Sequence, residues 1–210
     1  MLVNIIFLDY ERHTFTEQVK NKNFSNAGYD FSFTQVGMKG ISRALNYGIS
    51  RSKAFDAVVT MANDILMPDN WLLRMVEAAL NIPNTGMCGI HCVEGINPLQ
   101  TINGIQIHPQ DASFGNVLIP MSAIEKIGYF NEAYDPYGMQ DSDYAYRLKM
   151  TGHINYYLHD LRSEHIGHDV GNGTEYRRMK DESLARAQSV WEKYQDIYHN
   201  QKNIRCEYFV

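Results

Sequence analysis

Hydrophobic positions along this 210-residue chain follow two alternating periods. Residues 3–8 ("VNIIFL") form a short apolar run and residues 29–36 ("YDFSFTQV") alternate at period two, both patterns of β-strands. Between them Phe15 and Val19 share a helical face, with Thr14 and Glu17 spaced as a capping box. Ile41, Ala44, Leu45 and Ile49 mark a second helix. Residues 54–62 ("AFDAVVTMA") are apolar nearly throughout, as expected of a strand covered on both faces. Pro68 and Asp69 start a third helix, capped by Asp69, with Trp71, Leu72, Met75, Val76 and Ala79 inward. Strands alternating with helices imply a parallel sheet in an α/β layer fold.

The second half changes character. Residues 85–93 ("TGMCGIHCV") read as another buried strand, and Asn103-Gly104 between short alternating runs predicts a hairpin over 101–109. Residues 115–120 form a further strand, after which Ser122 and Glu125 cap a short helix ending at Gly128. The stretch "YGMQDSDYAYRLKMTGH" (137–153) opens as a loop and closes as a helix, with Tyr144, Ala145 and Leu148 at helical spacing and Gly152 at its end. A long last helix, 174–199, carries Leu184, Ala187, Trp191, Tyr194 and Tyr198 on a face expected to dock on the body. No internal repeat, low-complexity tract or linker interrupts the pattern, and the length suits one domain.

Composition narrows the function classes. A net charge of -5 gives no global footprint for nucleic acid or anionic lipid, although "YRRMK" (176–180) is a local basic run. Three cysteines, Cys88, Cys92 and Cys206, fit a reducing compartment better than a disulfide framework, so cytoplasm is the default. The first apolar run is too short to span a bilayer and lacks a basic leader.

Ligands of open α/β sheets bind beyond the carboxyl ends of the strands. The first strand ends at Leu8, Asp9 and Tyr10, and the third runs into a turn holding Asn63 and Asp64. With Asp69 capping the next helix, Asp64 is left either to form an Asx turn or to hold a divalent cation carrying substrate phosphates. Asp141 and Asp143 stand where loop becomes helix; an N-cap is the plain reading of either. Asp143 also has Arg147 four residues on, the spacing of a helical ion pair. Cys88, His91 and Cys92 invite a zinc site, but no second half with matching spacing follows, and the segment alternates like a core strand.

Five segments in order resemble the family 2-type GT-A glycosyltransferases: "IIFLDY", "GMKGISRALNYGI" (37–49), "VVTMANDILMPDNWL" (58–72), "IEKIGYFNEAYDPYGMQDSDYAYRLKMTG" (124–152) and "SEHIGH" (163–168). The resemblance covers roughly residues 3–170 and implies a GT-A-like, Rossmann-like, mostly parallel sheet flanked by helices, with the C-terminal helix docked on the body. It implies a single domain over 1–210: a nucleotide-binding half to about 95, an acceptor and catalytic half over about 96–170, and a C-terminal loop and helix from about 171.

The resemblance also implies roles. Asp64 matches the metal-binding member of an Asp-rich turn that holds Mn²⁺ or Mg²⁺ on the diphosphate of a nucleotide-sugar, with Asn63 where a second Asp is usual. Gln140 and Asp141 match an acidic pair beneath the sugar, Asp141 as general base and Gln140 an amide where an acid is usual. His165 or His168, of which His165 is favoured, reaches the metal or diphosphate. Asp9 and Tyr10 hold the nucleotide base and ribose, and Asn46 makes local hydrogen bonds near the nucleotide. Arg177 and Lys180 meet the donor phosphates or form a solvated helix start.

The reaction expected is transfer of a sugar from a nucleoside-diphosphate sugar to an acceptor hydroxyl, inverting the anomeric centre because one base works opposite the leaving group. The acceptor is a glycan or another hydroxyl, including the hydroxymethylated DNA base of a viral setting, which the acidic balance disfavours. The alternatives are a non-catalytic sugar- or nucleotide-binding module, suggested by the two amides, and a nucleotidyltransferase. The latter needs a glycine-rich loop after the first strand, and "DYERHTFTEQ" has no glycine.

Overall fold

The computed structural model describes residues 1–9, 15–92, 97–111, 115–167 and 175–208, with Tyr176 described by its backbone alone. Its strands are β1 (Val3–Leu8), β2 (Ser32–Val36), β3 (Ala57–Ala62), β4 (Ile65–Leu66), β5 (Thr85–His91), β6 (Gln100–Ile102), β7 (Ile105–Pro109), β8 (Asn116–Pro120), β9 (Ile154–Arg162) and β10 (Glu164–His165). Its helices are α1 (Thr16–Ser25), α2 (Ile41–Ser50), α3 (Trp71–Asn81), α4 (Met121–Ile127), α5 (Gln140–Met150) and α6 (Glu175–Gln201). Eight strands form one sheet in the order β2-β1-β3-β8-β5-β9-β7-β6, and β4 pairs with β10 in a two-stranded ribbon. In the large sheet β8 and β7 run against the other strands, so the sheet is mostly parallel by direction.

Alternate residues of the central strands serve opposite cores. Ile5, Phe7, Val59 and Met61 pack with α1 and α3 on one face. Ile6, Leu8 and Val58 pack with α2, α4 and α5 on the other. That division is why these strands read as unbroken apolar runs. The hairpin of β6 and β7 turns at Asn103 and Gly104, both at positive φ (48° and 82°), as its Asn-Gly pair requires. β1 and β3 pair in register from Val3↔Ala57 to Leu8↔Ala62, so the residues that follow, Asp9 and Asn63, leave the sheet side by side.

Helix starts depart from the sequence expectation. Asp69 does not cap α3; it is exposed and faces Lys22 (3.4 Å) and Asn26 (3.3 Å), while Asn70 holds the cap position in the left-handed region (φ 59°). The amides of Leu72 and Leu73 are taken by the Ala27 carbonyl (3.1 and 3.2 Å), which leaves a side-chain cap little to satisfy. Likewise α4 begins at Met121, whose amide bonds the Asp56 carbonyl (2.8 Å), so Ser122 falls inside the helix. For α1, Thr14 lies outside the described residues, Phe15 occupies the cap position without a side-chain bond, and Glu17 meets Lys20 (2.6 Å). α2 is capped from a distance: the Asp135 carboxylate accepts from the amides of Ser42 (2.8 Å) and Arg43 (3.1 Å).

α6 docks as expected, with its buried line shifted. Ser183, Ala187 and Tyr198 face inward, whereas Leu184 is half exposed. Arg186 donates to the carbonyls of Ala133, Tyr134 (3.2 Å) and Asp135, and the Tyr198 hydroxyl donates to Asp143 (2.7 Å). Asp143 and Arg147 form a fully buried ion pair one turn apart (2.8 Å). The second carboxylate oxygen accepts from both Tyr134 (3.2 Å) and Tyr198 (2.7 Å). The guanidinium donates onward to the carbonyls of Ile127 (2.9 Å), Tyr129 (2.9 Å) and Ile204 (3.3 Å).

A buried pair stripped of one partner leaves a stranded charge, so Arg147→Ala should cost about 3–5 kcal/mol in urea unfolding. Tyr198→Phe, which removes one of two hydroxyls from Asp143, should cost about 1–3 kcal/mol. The order Arg147→Ala worse than Tyr198→Phe is the outcome to check.

Candidate functional site

The site assembles at the edge where β1, β3, β5 and β9 end. Past β1, the Asp9 carboxylate accepts from Thr16 (2.7 Å), Gln35 (2.8 Å) and, more distantly, Asn63 (3.5 Å). Asn63 also donates to Thr16 (3.2 Å). The amide at position 63 thus joins two strand ends that a second carboxylate there would push apart.

Asp64 follows in the turn between β3 and β4. Antiparallel pairing of β4 with β10 sets Ile65 opposite His165, and the His165 Nε2 lies 3.1 Å from an Asp64 carboxylate oxygen. Both side chains are about one-third exposed, so the pair is open to a ligand. The Ile166 amide bonds the Asp64 carbonyl (2.9 Å), and a Cβ on Gly167 would lie 2.5 Å from the Asp64 carboxylate. Only glycine leaves the carboxylate its room. Behind the pair, Asn116 donates to the Ile90 carbonyl and to Ser163 (2.9 Å), tying the ends of β8, β5 and β9. Cys92 sits beside Ser163, its thiol raised above its ordinary pKa chiefly by burial, with the Asp64 charge adding to the rise.

α5 runs toward the start of β9, so its N-terminus lies at the same sheet edge. Met139, left-handed at φ 62°, occupies the cap position, and neither Asp141 nor Asp143 caps the helix. Asp143 is committed to Arg147. The Asp141 carboxylate accepts from the Ser142 amide (2.9 Å) and is held above the ordinary carboxylate range by burial, with the charge of Asp111 adding to it. Beside it Gln140 accepts from the Gly138 amide (2.8 Å), while its Nε2 is buried without a protein partner. The Asn116 Oδ1 is likewise buried and unpartnered. Such groups cost about 1–3 kcal/mol each until something completes them.

The other expected residues fall elsewhere. Asn46 is fully buried on α2, its amide bonding Phe130 at nitrogen and carbonyl (2.8 and 2.9 Å) and Glu132 (3.0 Å). Arg177 pairs with Asp181 (3.1 Å), and the Lys180 ammonium stands 4.5 Å over the Tyr137 ring, close to the turn that presents Asp141. Tyr10 and His168 lie outside the described residues. No cluster of three or more metal-ligating side chains occurs among the described residues. The zinc reading fails on strand geometry: Cys88 points into the core on the α3 side, its thiol pushed up to about 12 by burial, whereas His91 packs against His108 and Tyr157. Sequence reasoning missed Asp135, Ser163 and Asn116; the Ser preceding "EH" and the Asn opening β8 carry no spacing signal of their own.

This architecture is the GT-A fold, the mostly parallel sheet flanked by helices seen in the glycosyltransferases it resembles. No protein-family model and no curated protein sequence matches the chain. Among solved structures it is similar to GalNAc-T7 in complex with UDP, GalNAc and Mn²⁺, with a TM-score of 0.63 and 9% identity over 79% of this chain and 44% of that one. It is also similar to a Drosophila β1,4-galactosyltransferase 7 variant in complex with manganese, UDP-Gal and xylobiose, with a TM-score of 0.59 and 13% identity over 86% and 75% of the two chains. A third is the viral protein A197 from STIV, with a TM-score of 0.55 and 13% identity over 79% and 85%. The chain spans less than half the length of GalNAc-T7. No helix among the described residues is long and apolar enough to cross a membrane.

The raised pKa of Asp141 has a consequence for stability. The folded state binds its proton more tightly than the unfolded chain does, so this group favours folding in acid and the gain is lost as pH rises through the folded pKa. At pH 7 the ionised carboxylate is a burden that an amide lacks. Asp141→Asn should therefore melt no lower than the parent at pH 7, and the two melting curves should converge below about pH 4.

Proposed function

We propose that the chain is an inverting, metal-dependent glycosyltransferase that moves a sugar from a nucleoside-diphosphate sugar to an acceptor hydroxyl. The observation that supports this most is the Asp64–His165 pair. Residues 101 positions apart meet at 3.1 Å on the ligand-binding edge of a GT-A fold, with a desolvated Asp141 at the mouth of α5 on that edge. The solved relatives support the donor class at fold level, being complexes with UDP or UDP-Gal and manganese.

A carboxylate and an imidazole supply one oxygen and one nitrogen ligand, which suits Mn²⁺ better than Mg²⁺ and leaves positions for diphosphate oxygens and water. When bound, the metal would neutralise charge on the departing nucleoside diphosphate. Asp64 and His165 would hold it, with His168 a further candidate. Asp9, Tyr10 and Asn63 would bound the nucleotide on the β1 side; Asn46 would fix the segment after α4; Arg177 and Lys180 would approach the phosphates. Asp141 would take the proton of the attacking hydroxyl. Burial raises its affinity for that proton, and the amide of Ser142 holds the carboxylate in place. Inversion follows from one base acting opposite the leaving group. Residues 1–210 would act as one domain, donor half first and acceptor half second.

For the acceptor we favour a glycan over a modified DNA base. The basic run before the middle of α6 is matched by acids on the same helix: Arg177 with Asp181 (3.1 Å), Arg178 with Glu175 and Glu182 (3.8 Å each). That pairing leaves less free charge for tracking a DNA backbone. A second reading, a nucleotide-binding module without turnover, is favoured by the amides at Asn63 and Gln140.

A thermal-shift panel of UDP, GDP, dTDP and CDP, each with and without Mn²⁺, tests the donor site. One nucleotide should stabilise the chain in a metal-dependent way, and Asp64→Ala should remove that metal dependence. Absence of any shift would count against the reading. Asp141→Asn should lower transfer by about 100–10,000-fold while leaving nucleotide binding nearly intact; unchanged turnover would remove Asp141 from the base role. The acid limb of the parent's rate profile should lie above the usual carboxylate range, as its raised pKa requires.

A further inference from the structure

One cavity has none of the Asp64–His165 edge residues in its walls. It occupies about 390 Å³ between the segment 130–133 and the C-terminal residues, with Phe130, Glu132, Tyr194, Cys206, Glu207 and Tyr208 in its walls. That volume falls in the range of small-molecule sites, about 300–1,000 Å³. Its walls divide into aromatic faces and polar atoms. Tyr194 stands on α6 beside Tyr198 (5.8 Å between centroids), and the Tyr208 ring lies 5.3 Å from that of Tyr129, tilted by 41°. Burial and the nearby Glu132 carboxylate raise the Tyr208 hydroxyl, which keeps it a neutral donor.

Charge selects the ligand class. Glu132 is already met by Arg43 (3.5 Å) and Asn46 (3.0 Å), and Glu207 by Arg205 (2.6 Å). The Lys193 ammonium is 5.8 Å from the Tyr194 ring centre, so that ring already has a cation of its own. The cavity is charge-balanced, which gives an organic cation no unmet carboxylate and an anion no unmet base. The carboxylate oxygens still have lone pairs beyond these donors, and the tyrosine hydroxyls both donate and accept. Flat apolar rings beside a ring of spare acceptors and donors suit a molecule with apolar C–H faces and equatorial hydroxyls.

We propose that this cavity is a second carbohydrate-binding site, taking a neutral pyranose unit packed against both Tyr194 and Tyr208 and hydrogen-bonded by Glu132 and Glu207. The site shares no wall residue with the donor edge. It rests on the glycosyltransferase reading only in the expectation that the pyranose belongs to an extended acceptor, whose reactive end lies at Asp141.

The test is titration of the full chain with xylobiose and lactose, followed by ligand-observed NMR and calorimetry without nucleotide or metal. Tyr208→Ala and Tyr194→Ala should each weaken binding by about tenfold, the loss of one aromatic contact, when titrated well below each variant's melting temperature. Glu132→Gln, which keeps shape and removes charge, should weaken it less. Asp64→Ala and Asp141→Asn should bind these sugars as the parent does. No binding of either sugar, binding indifferent to both tyrosine variants, or binding lost in Asp141→Asn would overturn the proposal, as would retention of tetramethylammonium in place of sugars. The nucleotide shift is read separately, so failure of the donor site and failure of this cavity are distinguishable.

Discussion

The buried Asp143–Arg147 pair is the constraint around which the second half of the molecule is arranged. Two opposite charges removed from water tolerate burial only if their remaining donors and acceptors are satisfied, and here each is given to a different part of the chain. Asp143 draws in the tyrosines of the 3-10 turn Glu132–Tyr134 and of α6. Arg147 draws in the carbonyls at the end of α4 and just after it, and the C-terminal segment around Ile204. The Gly128 position belongs to the same knot: it pairs with Cys206 at φ 76°, where a side chain would collide with the Cys206 backbone. One ion pair thus fixes α5, α6 and both chain segments between them.

That arrangement bears on the site because Asp141 lies half a turn before Asp143. The carboxylate that would serve as base is carried by a helix whose other acid is locked in the core. The turn before it is held from outside, by Arg186 on the carbonyls of Ala133, Tyr134 and Asp135, and by the close approach of α6 to Gly138. Asp135 extends the brace to α2 by capping it. The first half needs no such device. Its strand ends are set by register, and Asp9, Asn63 and Asp64 emerge at one edge because β1 and β3 end level.

The two junction aspartates show why residue type and position in sequence are insufficient to assign a role. Both read as helix caps, and neither is one. The helix is entered through a left-handed Met139, which leaves Asp141 partly buried at the mouth of the helix and turns Asp143 fully inward by the two-residue rotation between them. Caps failed elsewhere for a related reason: at α3 and α4 the orphan amides are met by backbone carbonyls from other elements, Ala27 and Asp56, that no local pattern reveals.

Element order, the buried strands, the Asn-Gly hairpin, the docked last helix and the i,i+4 pairing of Asp143 with Arg147 were legible in the sequence, since each depends on contacts within a few residues or on a hydrophobic period imposed by burial. That Asp9, Asn63 and Asp64 gather at one sheet edge was legible too, because it follows from where parallel strands end. Tertiary structure alone decided that His165 meets Asp64, that Asp135 caps α2, that Asn116 and Ser163 tie three strand ends, and that Tyr134 and Tyr198 share one carboxylate. Those contacts join residues far apart in the chain, and their partners are chosen by sheet order and register, which no local spacing encodes.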